Sequence, residues 1–151
     1  MEIIEMFGIG IYEPKTKENI GTLWRTAYQL GANYIFMINA RYKKQSSDTY
    51  KTWTKIPLFQ YQNWSSFIKS RPYNAKLLGV EFNRGESTCL TNFNHPKNAI
   101  YLLGSEDVGL PKKVINVCTE LISIPSVREA SYNVAVSGAF ILMDRFNKRR
   151  K

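Results

Sequence analysis

Three stretches of the chain carry polar residues in patterns that chemistry can use. The first, Glu18-Asn19-Ile20-Gly21-Thr22-Leu23-Trp24-Arg25-Thr26-Ala27, opens what reads as a helix. Gly21 lets another backbone approach closely, and a helix N-terminus favours an anion. Arg25 lies less than two turns beyond Asn19, within reach of a phosphate near that end. The plainer reading is an amphipathic helix whose arginine faces water. The second stretch is Leu103-Gly104-Ser105-Glu106-Asp107-Val108-Gly109-Leu110-Pro111. Two glycines bracket two carboxylates there, which makes a tight loop with exposed backbone groups. It lacks the Gly-Lys-Ser/Thr ending of a phosphate loop and the three-glycine spacing of a dinucleotide fingerprint. Its acids serve either a ligand or the dipole of the helix that follows Pro111. The third stretch, from Ile124 to Val134, presents Ser131 and Asn133. Either can cap a helix, and an asparagine just inside one competes with its backbone bonds and wants a specific partner.

Other reactive side chains are few. His95, the only histidine, precedes Pro96 in an Asn-rich stretch and reads as ordinary surface loop rather than as part of a catalytic triad. A multi-histidine metal site is excluded. Cys89 and Cys118 are too few and too unpatterned for a disulfide framework or a zinc knuckle. They read as buried small hydrophobes in a reducing, cytoplasmic setting.

The elements that must position these loops follow from periodicity. Residues 5–12 read as a glycine-containing strand ending at Pro14, and residues 19–30 as a helix capped by Asn19 and stopped at Gly31. Ile20, Leu23, Ala27 and Leu30 give that helix one apolar stripe. Strands are expected at 34–38, 75–82, 99–103 and 121–124, and helices at 62–69, from Pro111, and from Ser131 or Tyr132 to Phe146. Residues 41–57, polar and without clear period, read as a long loop. Strands alternating with helices at this spacing argue for a parallel sheet flanked by helices on both faces, as one α/β domain over residues 1–151.

Composition narrows the partners. The 151 residues are 44% hydrophobic and 22% charged, close to the globular average, so disorder is excluded. The longest nearly apolar stretch, residues 134–143, falls well short of the roughly 20 residues a membrane span needs. Glutamates near the N-terminus stand where a signal peptide has lysines, so no secretion is expected. Twenty-one Lys and Arg against twelve Asp and Glu give +9, which predicts a polyanionic partner, nucleic acid ahead of lipid. The cations cluster at 41–44, at Lys112-Lys113 and in the tail 145–151. That tail reads equally as a solvated helix end or as a phosphate contact.

Together and in this order, the motifs Asn19 to Ala27, Leu103 to Leu110 and Ile124 to Val134 resemble those of the SpoU/TrmH-like branch of the SPOUT RNA methyltransferases. The resemblance spans nearly the whole chain. It implies a parallel sheet of five or six strands with a C-terminal deep trefoil knot, S-adenosylmethionine as cofactor, a homodimer, and methyl transfer to a ribose 2′-hydroxyl. By the same resemblance Val80, Gly104, Ile124 and Ser131 bind the cofactor. Asn19, Glu106 and Asn133 bind or brace the site, and Arg25 is the essential arginine, supplied to the partner's cofactor. No metal is implied. A chain this short, with no N-terminal RNA-binding extension, looks more like the tRNA-acting members than the rRNA-acting ones; a knotted RNA-binding protein without catalysis is the other alternative. The family pattern has Leu where this chain has Tyr132, and its link before the serine differs from residues 126–130.

Overall fold

In a computed structural model the protein is described over residues 5–40, 55–81 and 86–149. Its elements in chain order are β1 (Met6–Tyr12), α1 (Lys17–Gln29), β2 (Tyr34–Ile38), β3 (Leu58–Tyr61) and α2 (Trp64–Ser70). There follow β4 (Lys76–Val80), β5 (Thr88–Cys89), β6 (Asn98–Leu103), α3 (Lys112–Ile115), β7 (Glu120–Ser123) and α4 (Val134–Arg149). The strands form one seven-stranded sheet in the order β3-β2-β1-β6-β4-β7-β5, and every ladder is parallel.

Apolar runs explain the centre of this sheet. β1, β4 and β6 are buried almost end to end, as strands covered on both faces must be. One face packs against α1 and α4 through Ile9, Leu23, Ala27, Tyr101 and Ile141. The other packs against α2 and α3 through Phe36, Phe67, Leu77, Ile100 and Val114. Gly8 and Gly10 make the second face possible. A Cβ on either would lie 2.2 Å from the Tyr34 ring or 2.4 Å from the Phe36 ring.

Two strands escape the periodicity. β3 has four residues, sits at the sheet edge and is half exposed, so its Leu-Phe-Gln-Tyr sequence carries no buried alternation. β5 has two residues and is defined only by its pairing with β7. The sheet therefore has seven strands rather than five. The last residue expected of β4, Phe82, and most of the long polar loop, 41–54, lie outside the described residues. Asn19 does not cap α1, which begins two residues earlier after Thr16. Pro111 precedes α3 as its cap residue instead of entering it, and α4 runs on to Arg149.

The tail and His95 both differ from expectation, and for the same reason. His95 is buried, with Nδ1 2.6 Å from the Tyr101 hydroxyl and Nε2 2.7 Å from Asp144 Oδ2 on α4. Asp144 can only accept, so Nε2 carries the proton and Nδ1 accepts the tyrosine O–H. Arg145, 2% exposed, donates to the carbonyls of Pro96 and Lys97, to Tyr101 and to Glu5. Lys148 donates to the carbonyls of Leu90, Thr91 and Phe93, and Arg149 donates to Glu5 and to the His95 carbonyl. These cations clasp the end of α4 to residues 90–97 and are not a solvated fringe. Both thiols are half-buried: burial pushes Cys118 up to about 11, whereas a hydrogen bond with Thr91 holds Cys89 below its usual range. The expectation of a small buried thiol fits Cys118 better than Cys89.

Candidate active site

A parallel sheet gathers its loops at the carboxyl ends of its strands. Here the ends of β4, β6 and β7 carry Glu81, the loop 104–110 and Ile124, and α4 begins beside them. The 104–110 loop folds back on itself. Ser105 bridges to Gly109, whose N–H donates to the Ser105 carbonyl at 3.1 Å. A Cβ on Gly104 would lie 2.5 Å from the Gly109 backbone, and Gly109 holds φ +69, so both turns of the loop require glycine.

Glu81, 6% exposed, fixes the loop from the β4 side. Its Oε1 accepts the Leu110 N–H at 2.5 Å, and a Cβ on Gly109 would stand 3.0 Å from that oxygen. Sequence reading missed this residue. Its only signal was position: a carboxylate directly after a buried strand, where a ligand is expected, although that strand was read as continuing past it.

The other side of the loop is fixed by Glu106. Its Oε1 accepts Asn19 Nδ2 at 2.8 Å, and its Oε2 accepts the Lys15 backbone N–H at 3.0 Å. Asn19 Oδ1 in turn accepts Asn133 Nδ2 at 3.0 Å. Asn133 caps α4 with its own Oδ1, which accepts the N–H groups of Ala135 and Val136. The three polar stretches are thus one hydrogen-bonded line, Asn133 to Asn19 to Glu106, drawn from positions 114 and 87 residues apart. Asn19 is buried because it serves this line from the first turn of α1.

Under this line lies a cleft of about 240 Å³. Val80, Gly104, Ile124 and Ser131 line it, together with Glu106 and Tyr132. Tyr132 donates its hydroxyl to the Pro125 carbonyl at 2.7 Å and sets its ring edge-on to Phe140 of α4, tying off the 125–132 link. Asn19 and Asn133 are outside the lining: Asn19 touches it through Glu106, and Asn133 lies between the lining residues Tyr132 and Val134. Arg25 is exposed on α1 and does not line this cleft. Among the described residues the walls are apolar at Val80, Leu103, Val108, Ile124 and Val134 and acidic at Glu81, Glu106 and Asp107, with no Lys or Arg. Such a surface suits a flat uncharged ring joined to a cation. It does not suit a ligand rich in phosphate. The described residues hold no group of His, Cys, Asp or Glu that could bind a metal ion.

Known proteins agree with this geometry. A Mycoplasma genitalium protein provisionally named tRNA (cytidine(34)-2′-O)-methyltransferase is 29% identical, and the alignment covers 92% of this chain and 89% of that protein. A solved structure concerned with 2-OH methylation of C/U34 on tRNA superposes with a TM-score of 0.83 at 23% identity, covering 95% of this chain and 96% of that one. A second, the SpoU methyltransferase AviRb of Streptomyces viridochromogenes with AdoMet bound, gives a TM-score of 0.78 at 21% identity over 97% of this chain and 62% of that one. Several mycobacterial relatives are longer, and the chain spans 42% of their length. The sequence model of the SpoU rRNA methylase family matches residues 6–143, so the chain belongs to that family.

Proposed function

We propose that this SpoU methylase transfers a methyl group from S-adenosylmethionine to the ribose 2′-hydroxyl of a tRNA nucleoside at the wobble position. RNA methylation with this cofactor is the family's activity. The choice of tRNA is supported by the relative and the solved structure that match this chain over nearly their whole lengths and are described in terms of position 34. The observation that carries the reading is the Asn133–Asn19–Glu106 line closing an acidic cleft that, among the described residues, no cation lines.

The cofactor, when bound, supplies a cationic sulfonium whose methyl group is electrophilic without a metal. The apolar walls at Val80, Leu103 and Ile124 would take its adenine, and the loop 104–110 would present backbone groups to it. Glu106 holds the carboxyl ends of β1 and β6 together through Lys15 and Asn19, which sets the width of the cleft. Arg25 is an awkward base, because a guanidinium stays protonated. Its role is to clamp the phosphate next to the target ribose and so align the hydroxyl for in-line attack. Because Arg25 does not line the cleft of its own chain, it serves the cleft of a second copy.

That copy docks on α4. Val136, Phe140 and Met143 are exposed at helical spacing, a stripe that the Tyr132 ring covers in part at Phe140. Membership of the SpoU family supports a C-terminal trefoil knot. We take the chain to work as one domain in the cytoplasm, where its two free cysteines stay reduced.

Incubation with methyl-labelled S-adenosylmethionine and separate tRNA and rRNA fractions, followed by nucleoside analysis, tests the reading. A 2′-O-methylated nucleoside at position 34 of tRNA is expected. Label in rRNA alone moves the target to rRNA, and no cofactor binding by calorimetry removes the methyltransferase reading.

A further inference from the structure

The charge of this protein is unevenly spread. Residues 41–80 carry eight of the 21 Lys and Arg but one of the 12 acids, Asp48. That stretch therefore accounts for most of the net +9. In its described part, from Lys55 to Val80, four cations stand with no acid at all. Elsewhere the cations are largely balanced. The tail, the other cluster in the sequence, spends Arg145, Lys148 and Arg149 on Glu5, Asp144 and backbone carbonyls.

Parallel topology sets these cations at the amino end of the sheet, where Glu120, which opens β7 beside β4, is an exposed acid and accepts a hydrogen bond from Thr88. Lys55 precedes β3, and Lys76 opens β4, so both stand at the amino ends of strands. α2 returns the chain from the carboxyl end of β3 to the amino end of β4, which brings Lys69 in its last turn, Arg71 and Tyr73 to the same end. Lys55, Lys69, Tyr73 and Lys76 are exposed, Tyr73 fully. β3 and β4 are four strands apart in the sheet, about 19 Å at ordinary strand spacing. This end of the sheet also shows an aromatic that packing covers only in part. Phe59 stands 45% exposed on the edge strand, against the half-buried Tyr34 ring at 5.6 Å. Lysines spaced among exposed aromatics are what a nucleic acid backbone with accessible bases requires.

We propose that this basic rim, at the opposite end of the sheet from the cleft, docks a second region of a folded RNA. The inference rests on the methyltransferase reading and deepens it. A substrate gripped at the rim while its target ribose occupies the cleft must span the height of the sheet. The substrate class is therefore a structured RNA with a stem, not a short single strand. Its grip is electrostatic, so it weakens with salt as counterions are released on binding.

The test is the salt dependence of RNA binding by fluorescence anisotropy, with whole tRNA and with a seven-nucleotide anticodon-loop oligomer. The proteins are wild type, the triple variant Lys55→Glu/Lys69→Glu/Lys76→Glu, and Tyr73→Ala. The triple variant should bind tRNA about tenfold or more weakly and lower the slope of log K against log salt by about 2–3. Its affinity for the oligomer, its cofactor affinity and its melting temperature should stay at wild-type values. Tyr73→Ala should weaken tRNA binding with little change of slope. An unchanged slope in the triple variant overturns the rim while leaving the methyltransferase reading intact. Equal loss for tRNA and oligomer, or equal displacement by polyglutamate and RNA, also overturns it. If the wild type binds cofactor but no RNA at all, both readings fall.

Discussion

Asn19 shows how much one side chain can depend on distant chain. Its type suits a helix cap, yet it lies inside α1 and spends its amide on Glu106 and Asn133. Glu81 is the converse: an acid no motif announces, buried because it satisfies the Leu110 N–H. Replacing Glu81 with Ala should leave that amide unpaired and loosen the loop, weakening cofactor binding about tenfold, since a hydrogen bond to a charged group contributes about 1.5–3 kcal/mol. Glu81→Gln keeps an acceptor and should restore most of the affinity. Calorimetry together with exchange of the Leu110 amide separates loop geometry from general instability. If Ala and Gln behave alike, Glu81 does not act through that bond. At Arg25, change to Ala should cut turnover by about a hundredfold or more while cofactor affinity holds, as misalignment of a substrate typically does. Wild-type turnover would remove Arg25 from the reaction.

At the scale of elements, the clasp on α4 decides more than the helix's own sequence. Its cations suit a helix C-terminus, but their partners come from residues 5 and 90–101. Burial pushes the pKa of His95 below its ordinary 6.5, outweighing the opposite pull of Asp144, with Arg145 and Lys148 acting in the same direction as burial. A depressed pKa means the unfolded chain takes up the proton first. The stabilisation is then complete above about pH 6.5 and is lost as pH falls from there toward the folded-state value. Protonated Nδ1 would also have to donate to a Tyr101 oxygen that already receives Arg145. Denaturant titrations should show stability falling below pH 6.5 by up to about 1.4 kcal/mol per pH unit. His95→Gln should flatten that slope. Glu5, held below its usual range chiefly by its hydrogen bond with Arg149, adds a further loss at lower pH.

For the molecule as a whole, the apolar stripe of α4 and the basic rim are the surfaces to which partners are assigned. Phe140 lies at the middle of the stripe and 40% exposed. Phe140→Glu should convert a dimer into a monomer in sedimentation and abolish methylation if Arg25 serves the second copy. An unchanged sedimentation coefficient would place the contact elsewhere. The rim and the stripe lie on different parts of the fold, so the two variants should act independently on RNA affinity and assembly.

By itself the sequence determined the strands with continuous apolar runs, the amphipathic α1, the glycine loop and the three polar motifs, because each of these is written in local spacing. The family resemblance, rather than spacing, singled out Val80, Gly104, Ile124 and Ser131, which line one cleft from the end of β4 and from three loops. Tertiary structure alone decided what depends on partners far along the chain. It made strands of residues 58–61 and 88–89, which only pairing defines. It buried His95, whose polar ring is affordable only between Tyr101 and Asp144. It also sorted the cations, committing those of α4 to carbonyls and carboxylates and leaving Lys55, Lys69 and Lys76 exposed. A charge count cannot make that distinction, since a lysine's role is set by what folds up beside it.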